Sequence, residues 1–256
     1  MSKTLVSIIV PCYERDDGYG QAKYLAYTLS STVIQQQPFE VIVVDDGSPY
    51  EHRIAEIVKG FPNVKYVRSP TNVGTAAARN LGIRESSGEY ILPLDGDDAL
   101  TKHAVGLLRF ALTSRPAAGV AYGAMLDITA TKYVWSPTCN WTLCELRDGN
   151  RIPSSSMFTR KAWEAAGGYD ESRLVHEDWD LWLAIANKGF EFVHVWQPVV
   201  MYRSHPNQQS HWMPNRDDIA VYMAQKYEFM NQLSAEALKR QVAFPIGEDW
   251  SRSCVI

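Results

Sequence analysis

Cysteine is scarce and unpaired in this 256-residue chain: Cys12, Cys139, Cys144 and Cys254 fall at irregular spacing, with no CxxC. Neither a zinc site nor a disulfide framework is marked out, and reduced thiols in a cytoplasmic protein are the expectation. The apolar run before Pro11 is too short for a signal peptide or a membrane span. Without a secretory signal, the sequon Asn140-Trp141-Thr142 reads as chance. An excess of positive charge is missing too. Lys and Arg number 25 against 29 Asp and Glu, a net −4, which argues against nucleic acid or another polyanion as a general partner but leaves room for local basic patches. The chain shows no internal repeat, low-complexity tract or obvious linker. Its length suits one domain with a sizeable core and a C-terminal appendage.

What is present is alternation. Residues 5–10, 39–44, 64–68, 90–94 and 119–122 read as buried strands. Between them, Leu25, Leu29 and Val33 recur every four residues, and Ile54, Ile57, Val58 and Phe61 follow a helical template. Ala77, Ala78 and Leu81 mark a third helix, and Ala104, Leu107, Leu108 and Ala111 a fourth that begins near Thr101. This order predicts an α/β fold with a mostly parallel, Rossmann-like central sheet flanked by helices. The second half is less regular, with strands expected at 132–135, 155–158, 192–195 and 199–202. Helices are expected at 160–166 and at 178–187, the latter stopped by Gly189, and a polar helical tail at 216–233 and 235–242.

In such sheets ligands gather beyond the carboxyl ends of the strands. The unusual residues of this chain lie there: 11–14, then Asp45-Asp46-Gly47-Ser48, then 95–98. A dinucleotide-binding unit needs a Gly-rich first turn, whereas here it is Pro11-Cys12-Tyr13-Glu14-Arg15, and no GxxxxGK[ST] occurs. The phosphate-receiver pattern of an acidic pair after strand one is absent, as is the Gly-rich, Arg-containing loop of sugar nucleotidyltransferases. Ile91-Leu92-Pro93-Leu94 runs straight into Asp95-Gly96-Asp97-Asp98. Three carboxylates at a strand's mouth repel one another and raise each other's pKa. A hard divalent ion with oxygen ligands answers that chemistry; an Asp-rich turn capping the next helix is the plainer alternative.

Six motifs in order carry a specific resemblance. Ser7-Ile8-Ile9-Val10-Pro11-Cys12-Tyr13, Val43-Val44-Asp45-Asp46-Gly47-Ser48, Asn72-Val73-Gly74 through Arg79-Asn80, Leu94-Asp95-Gly96-Asp97-Asp98, Gly167-Gly168-Tyr169-Asp170 and His176-Glu177-Asp178-Trp179-Asp180-Leu181-Trp182 together resemble a family 2 glycosyltransferase of the GT-A fold. The resemblance covers roughly residues 4 to 211. It implies a domain at 1–211, with a nucleotide-binding half to about 125 and an acceptor-side half at about 126–211, followed by a helical extension at 212–256.

The resemblance also implies roles. Pro11, Tyr13, Glu14 and Asp45 surround the uridine. Tyr13 can stack a flat base, and Asp45 can accept the imide N–H of uracil; a rim aromatic and a helix N-cap are the structural alternatives. Asp46 reads as turn chemistry with Gly47 and Ser48. Asn72 and Gly74 let backbone approach the ligand, and Arg79 lies near the nucleotide, holding Asp45 or the diphosphate side, or orienting the acids as an ion-pair partner. In the DxD pattern, Asp95 faces the ribose and Asp97 contacts Mn²⁺ or Mg²⁺, while Asp98 acts through water or binds the donor sugar. Asp178 aligns with the catalytic base and Glu177 is the alternative, although a helix N-terminus also favours both acids. After the last strand, Arg203, Ser210 and His211 suit a lid over the diphosphate. His205 is the candidate metal ligand, with His211 in reserve.

These readings converge on metal-dependent, inverting transfer of a hexosyl or N-acetylhexosaminyl group from a nucleotide sugar, UDP-linked by preference, to a carbohydrate or other hydroxyl acceptor. A catalytically inactive binding module of the same fold is the rival, and a nucleotidyltransferase releasing pyrophosphate is the other enzyme class. Trp135, Trp141, Trp179 and Trp212 could stack on sugar rings but individually read as partial core.

Overall fold

The computed structural model describes residues 5–15, 21–128, 134–135, 146, 149–172, 176–204, 222–223 and 226–227. Along the chain come β1 (Val6–Cys12), α1 (Ala22–Val33), β2 (Phe39–Asp45), α2 (Glu51–Lys59), β3 (Val64–Arg68), α3 (Thr75–Arg84) and β4 (Tyr90–Pro93). Next are β5 (Ala99–Leu100), α4 (Ala104–Ser114), β6 (Ala118–Asp127), β7 (Val134–Trp135), β8 (Met157–Thr159), α5 (Arg160–Ala166), α6 (Glu177–Asn187) and β9 (Glu191–Tyr202). The strands form one nine-stranded sheet in the order β3-β2-β1-β4-β8-β6-β9-β5, with β7 paired to β6.

The first half of that sheet is the parallel platform expected from the alternation: β1 pairs in parallel with β2 and β4, and β2 with β3. Every residue of β1 and β4 is buried, as parallel strands covered on both faces must be. Beyond β4 the sheet is mixed. β8 is antiparallel to both β4 and β6, whereas β6 and β9 are parallel. Short apolar runs mark strands without giving their direction, so this half was legible as elements but not as pairings.

Three boundaries differ from expectation for identifiable reasons. Segments 192–195 and 199–202 belong to one strand, β9, whose solvent-facing Trp196 and the following Gln197-Pro198 interrupt the apolar pattern at register shifts against β6. The helix expected near Thr101 begins at Ala104, because Ala99 and Leu100 first pair with β9 as β5. The segment at 119–122 lies within β6 and is separated from β4 by β8.

Helices cover both faces. Alternate residues of β1 and β2 feed two cores: Val6, Ile8, Val10, Val41 and Val43 pack with Leu25 and Leu29 of α1, Ile54 of α2 and Leu108 of α4. On the other face, Ile9, Ile42 and Val44 pack with α3, α5 and α6 through Ala78, Ile83, Ala162 and Trp182. The small residues of α3 set how closely it approaches. A Cβ on Gly82 would stand 2.5 Å from Ile9 Cγ2 and 2.8 Å from Val44 Cγ2, so any larger residue there would push the helix off the sheet.

The tail helices expected at 216–233 and 235–242 lie outside the described residues except at 222–223 and 226–227, as do Cys139, Cys144, Cys254, Trp141 and Trp212. Among the described residues no helix is long and apolar enough to cross a membrane.

Candidate active site

Parallel registry places the carboxyl ends of β1 and β2 side by side, with Pro11 opposite Val44 and Cys12 opposite Asp45. Pro11 is buried within this edge, and Tyr13 lies partly exposed just beyond it. Glu14 turns inward. Its carboxylate accepts from the Ala22 N–H at 3.0 Å and from Arg53 at 3.1 Å, while its own N–H donates to Ser48 Oγ. Glu14 thus holds the start of α1, while Tyr13 stays partly exposed at the lip.

Asp45 is fully buried and accepts three hydrogen bonds. Oδ1 takes the Ser48 N–H at 2.9 Å, and Oδ2 takes the Tyr66 hydroxyl at 2.7 Å and Arg68 Nη1 at 2.5 Å. Arg68 Nη2 also reaches Ser48 O, which ties the ends of β2 and β3 together. Burial, reinforced by the hydrogen bond to Asp45, pushes the Tyr66 phenol up to about 12. Arg68 was not singled out in the sequence; its place as the last residue of a strand was the available signal.

Asp46 does more than shape its own turn, correcting the sequence reading. Its two oxygens accept the N–H groups of Val73 and Gly74 at 2.8 and 2.9 Å, so this carboxylate pins the loop that opens α3. Gly47 makes the approach possible: at φ 67°, a Cβ there would lie 2.3 Å from the Thr71 carbonyl carbon. Asn72 is left exposed at the rim.

Arg79 is the hub of the site. Its side chain is only 2% exposed, and its two terminal nitrogens lie 2.6 Å from Asp95 Oδ1 and 2.6 Å from Glu177 Oε1. The Tyr169 ring lies against the guanidinium, 5.5 Å from centroid to carbon. Arg79 therefore reaches the acids of the fourth and sixth motifs and not Asp45, which Arg68 holds instead. The other Asp95 oxygen accepts from Ser154 Oγ at 3.3 Å.

The three acids after β4 have separate environments. Asp95 and Asp97 are partly exposed, whereas Asp98 is buried and accepts the Arg203 backbone N–H at 2.9 Å. Burial, and then the charges of Asp95 and Asp97, raise the Asp98 carboxyl well above the usual range. The carboxylate of Asp98 thus fastens the end of β9 rather than capping a helix. Arg203 continues the fastening, with Nε donating to Asp97 O at 3.0 Å and its guanidinium stacked on Tyr24 at 4.5 Å. His205, Ser210 and His211, which complete the expected lid, lie outside the described residues.

Glu177 and Asp178 open α6 behind His176, a non-glycine residue in the left-handed region at φ 58°. Such a conformation is uncommon and fixes the entry angle of the helix. Asp178 Oδ2 accepts from Asn150 Nδ2 at 2.8 Å, and Oδ1 from the Trp179 N–H at 2.8 Å. Burial raises both carboxyls, against the charge of Arg79, which lowers them. Trp179 is core, its indole N–H donating to Leu146 O at 2.6 Å. Asn150 and Ser154 come from a loop without periodicity, which left them invisible in the sequence.

The arrangement gathers acids around one buried cation at the ligand edge of the sheet. Among the described residues no three His, Cys, Asp or Glu side chains form a ready-made metal cluster. Asp97 is a hard oxygen ligand, and one or two carboxylates completed by substrate phosphates are the usual setting for Mg²⁺. The donor set present fits a divalent ion that arrives with a diphosphate.

Comparison with known proteins agrees with this geometry. The family model described as glycosyl transferase family 2 matches residues 7–180. The chain is 24% identical to the amylovoran biosynthesis glycosyltransferase AmsB of Erwinia amylovora over 93% of its own length and 88% of AmsB. S. aureus TarS 1-349 in complex with UDP-GlcNAc superposes with a TM-score of 0.70 at 17% identity, covering 91% of this chain and 69% of that one. The chain spans 37% of a longer TarS structure. The mannosyltransferase PcManGT from Pyrobaculum calidifontis, in complex with GDP-Man and Mn²⁺, gives a TM-score of 0.60 at 16% identity, covering 91% and 71%. The sheet and its flanking helices are those of the GT-A fold.

Proposed function

The chain belongs to glycosyl transferase family 2 and is a glycosyltransferase, and we propose that it moves a hexosyl or N-acetylhexosaminyl group from a UDP-sugar to a hydroxyl acceptor with inversion. The observation that carries this reading is the Arg79 bridge between Asp95 and Glu177. It unites the acids suited to a nucleotide diphosphate with the acids suited to proton abstraction. The UDP-GlcNAc and UDP complexes of TarS favour the uridine carrier.

In this reading the base lies over the ends of β1 and β2 against Tyr13, beside the buried Asp45 cluster whose Tyr66 and Arg68 partners shape that edge. The ribose faces Asp95. Asp97, with His205 from the lid, would hold Mn²⁺ or Mg²⁺ against the diphosphate; when bound, that ion stabilises the charge developing on the leaving group. The Mn²⁺ complex of PcManGT supports this choice of metal. Arg203, hydrogen-bonded to Asp97 O and stacked on Tyr24, closes this edge of the site against water.

Asp178 is the general base. It takes the acceptor hydroxyl's proton as that oxygen forms a bond to the anomeric carbon and the bond to the diphosphate oxygen breaks on the opposite face. Burial raises its pKa toward the working range of a base, and the hydrogen bond from Asn150 steadies the ionised form. Glu177, engaged by Arg79, orients the first turn of α6 and the donor sugar. Asp98, tied to the Arg203 backbone, shapes the sugar pocket from behind.

The test is nucleotide release from a panel of sugar donors with Mn²⁺, with and without carbohydrate acceptors. Acceptor-stimulated UDP release supports the reading. Release of GDP alone would move the carrier, and binding without turnover would leave a catalytically inactive module.

A further inference from the structure

The family match ends at residue 180, yet two residues far beyond it grip the helix that carries the base. Lys226 Nζ lies 2.7 Å from Asp170 Oδ2, and 2.8 and 3.0 Å from the two oxygens of Asp180. The Tyr227 hydroxyl lies 3.0 Å from Asp180 Oδ1 and 3.1 Å from Asp180 O. Met223 and Tyr227 are buried in the same core cluster as Trp179 and Trp182.

The two acids so held are not incidental to the site. Asp180 follows Asp178 by two residues in the first turn of α6, and its N–H closes that turn on His176 O at 3.0 Å. It is 3% exposed and, among the described residues, Lys226 is the cation paired with it, so losing Lys226 would leave its buried carboxylate without that compensation. Asp170 directly follows Tyr169, the ring beneath Arg79. Burial would raise the Asp170 carboxyl, but hydrogen bonds from Lys226 and Ser172 bring it down to about 2. Lys226 thus spans the turn beneath the hub and the turn that presents the base. A groove of about 610 Å³ lies beside this contact, walled by Lys226 and Tyr227 on one side and by Arg84, Trp163 and Lys188 elsewhere. Tyr169 lines it, so this contact also borders the floor under the acid cluster.

We propose that Lys226 and Tyr227 are positioning residues for glycosyl transfer, a clasp from the C-terminal segment that fixes the first turn of α6 and with it Asp178. The proposal rests on the reading of Asp178 as the base. The clasp touches neither donor nor acceptor. It acts by holding the base within the narrow geometry that proton transfer needs, where small displacements cost large factors in rate.

The experiment is steady-state kinetics of the full chain with Lys226→Ala, Lys226→Arg and Tyr227→Phe, alongside Asp178→Asn. Thermal melts and circular dichroism establish the folded fraction. The expected result is a kcat lower by roughly tenfold or more in Lys226→Ala with donor KM within about twofold. Lys226→Arg, which keeps the charge, should recover most of the rate. Tyr227→Phe removes one hydroxyl and keeps the buried ring, so it gives a folded variant even where Lys226→Ala does not, with a smaller fall in kcat. A purely structural contact would lower activity only in proportion to the folded fraction. That result, or wild-type kcat in folded Lys226→Ala and Tyr227→Phe while Asp178→Asn is inactive, would overturn the clasp. Activity in Asp178→Asn would instead overturn the base assignment, and this role for Lys226 with it.

Discussion

Arg79 Nη1 lies 2.6 Å from Glu177 Oε1, joining residues 98 apart in sequence. The pair ties α3, which opens at the Asn72-Val73-Gly74 loop, to α6, which presents the second acid pair. With its other terminal nitrogen on Asp95, the guanidinium acts as a rigid fork that a point charge could not replace.

Removing that fork leaves acids facing one another in a largely buried site. Arg79→Gln should destabilise the fold by roughly 3 kcal/mol or more in urea denaturation at neutral pH, and the deficit should shrink as acid neutralises Glu177, whose carboxyl burial already raises. Arg79→Lys should restore only part of it. A loss below about 1 kcal/mol would mean that the bridge is no more than a surface ion pair.

Asp97→Asn removes the carboxylate assigned to the metal while leaving the Arg203 contact to the Asp97 backbone oxygen intact. The fold should survive, transfer should be lost, and UDP binding should no longer depend on Mn²⁺. Titration calorimetry with and without the ion reads this directly; undiminished Mn²⁺-dependent activity would remove Asp97 from the metal site.

The Asp45 cluster predicts base preference. UDP should raise the melting temperature more than CDP or GDP, and Asp45→Ala should abolish the difference. Asp45→Ala also releases Arg68 and Tyr66, so Arg68→Ala is the companion variant: it should weaken UDP binding with less loss of preference. Equal shifts with all three nucleotides in the wild type would exclude uridine recognition here.

The first half of the fold was legible because β1, β2 and β4 are largely apolar on both faces and lead into residues that no core requires, namely Tyr13, Asp45 and Asp95. The second half was legible only as pieces. Nothing in Met157-Phe158-Thr159 says that β8 inserts antiparallel between β4 and β6. Within the site, residue types at strand ends announced themselves, but their partners did not. Asp46 reads as a local turn until the loop at 73–74 arrives across 27 and 28 residues of sequence. Asn150 and Ser154 act from a segment with no periodic signal, and Lys226 and Tyr227 from an expected tail helix whose pattern does not say where it docks; only the folded chain brings them to Asp178, Asp95 and Asp180.

Asn150 gives a pH prediction. The carboxyl of Asp178 is raised by burial and lowered by the charge of Arg79 and by hydrogen bonds from the Trp179 N–H and Asn150. A base must be ionised to work, so the acid limb of kcat should lie above the ordinary carboxylate range and activity should fall as pH drops through it. Asn150→Ala deletes a donor to the ionised form, which raises the pKa further and moves that limb to higher pH. A limb unmoved in Asn150→Ala, or moved to lower pH, would contradict the assignment of the base to Asp178.

The most direct measurement compares single-turnover transfer by Asp178→Asn and Glu177→Gln, with UDP-sugar affinity measured in parallel. Asparagine keeps the shape of the side chain and one acceptor oxygen, enough for either the Asn150 or the Trp179 N–H bond, but it cannot take the proton. Asp178→Asn should therefore bind the donor nearly as the wild type does while transferring at least about a hundredfold more slowly, and Glu177→Gln should lose less. Rapid transfer by Asp178→Asn beside an inactive Glu177→Gln would contradict the account.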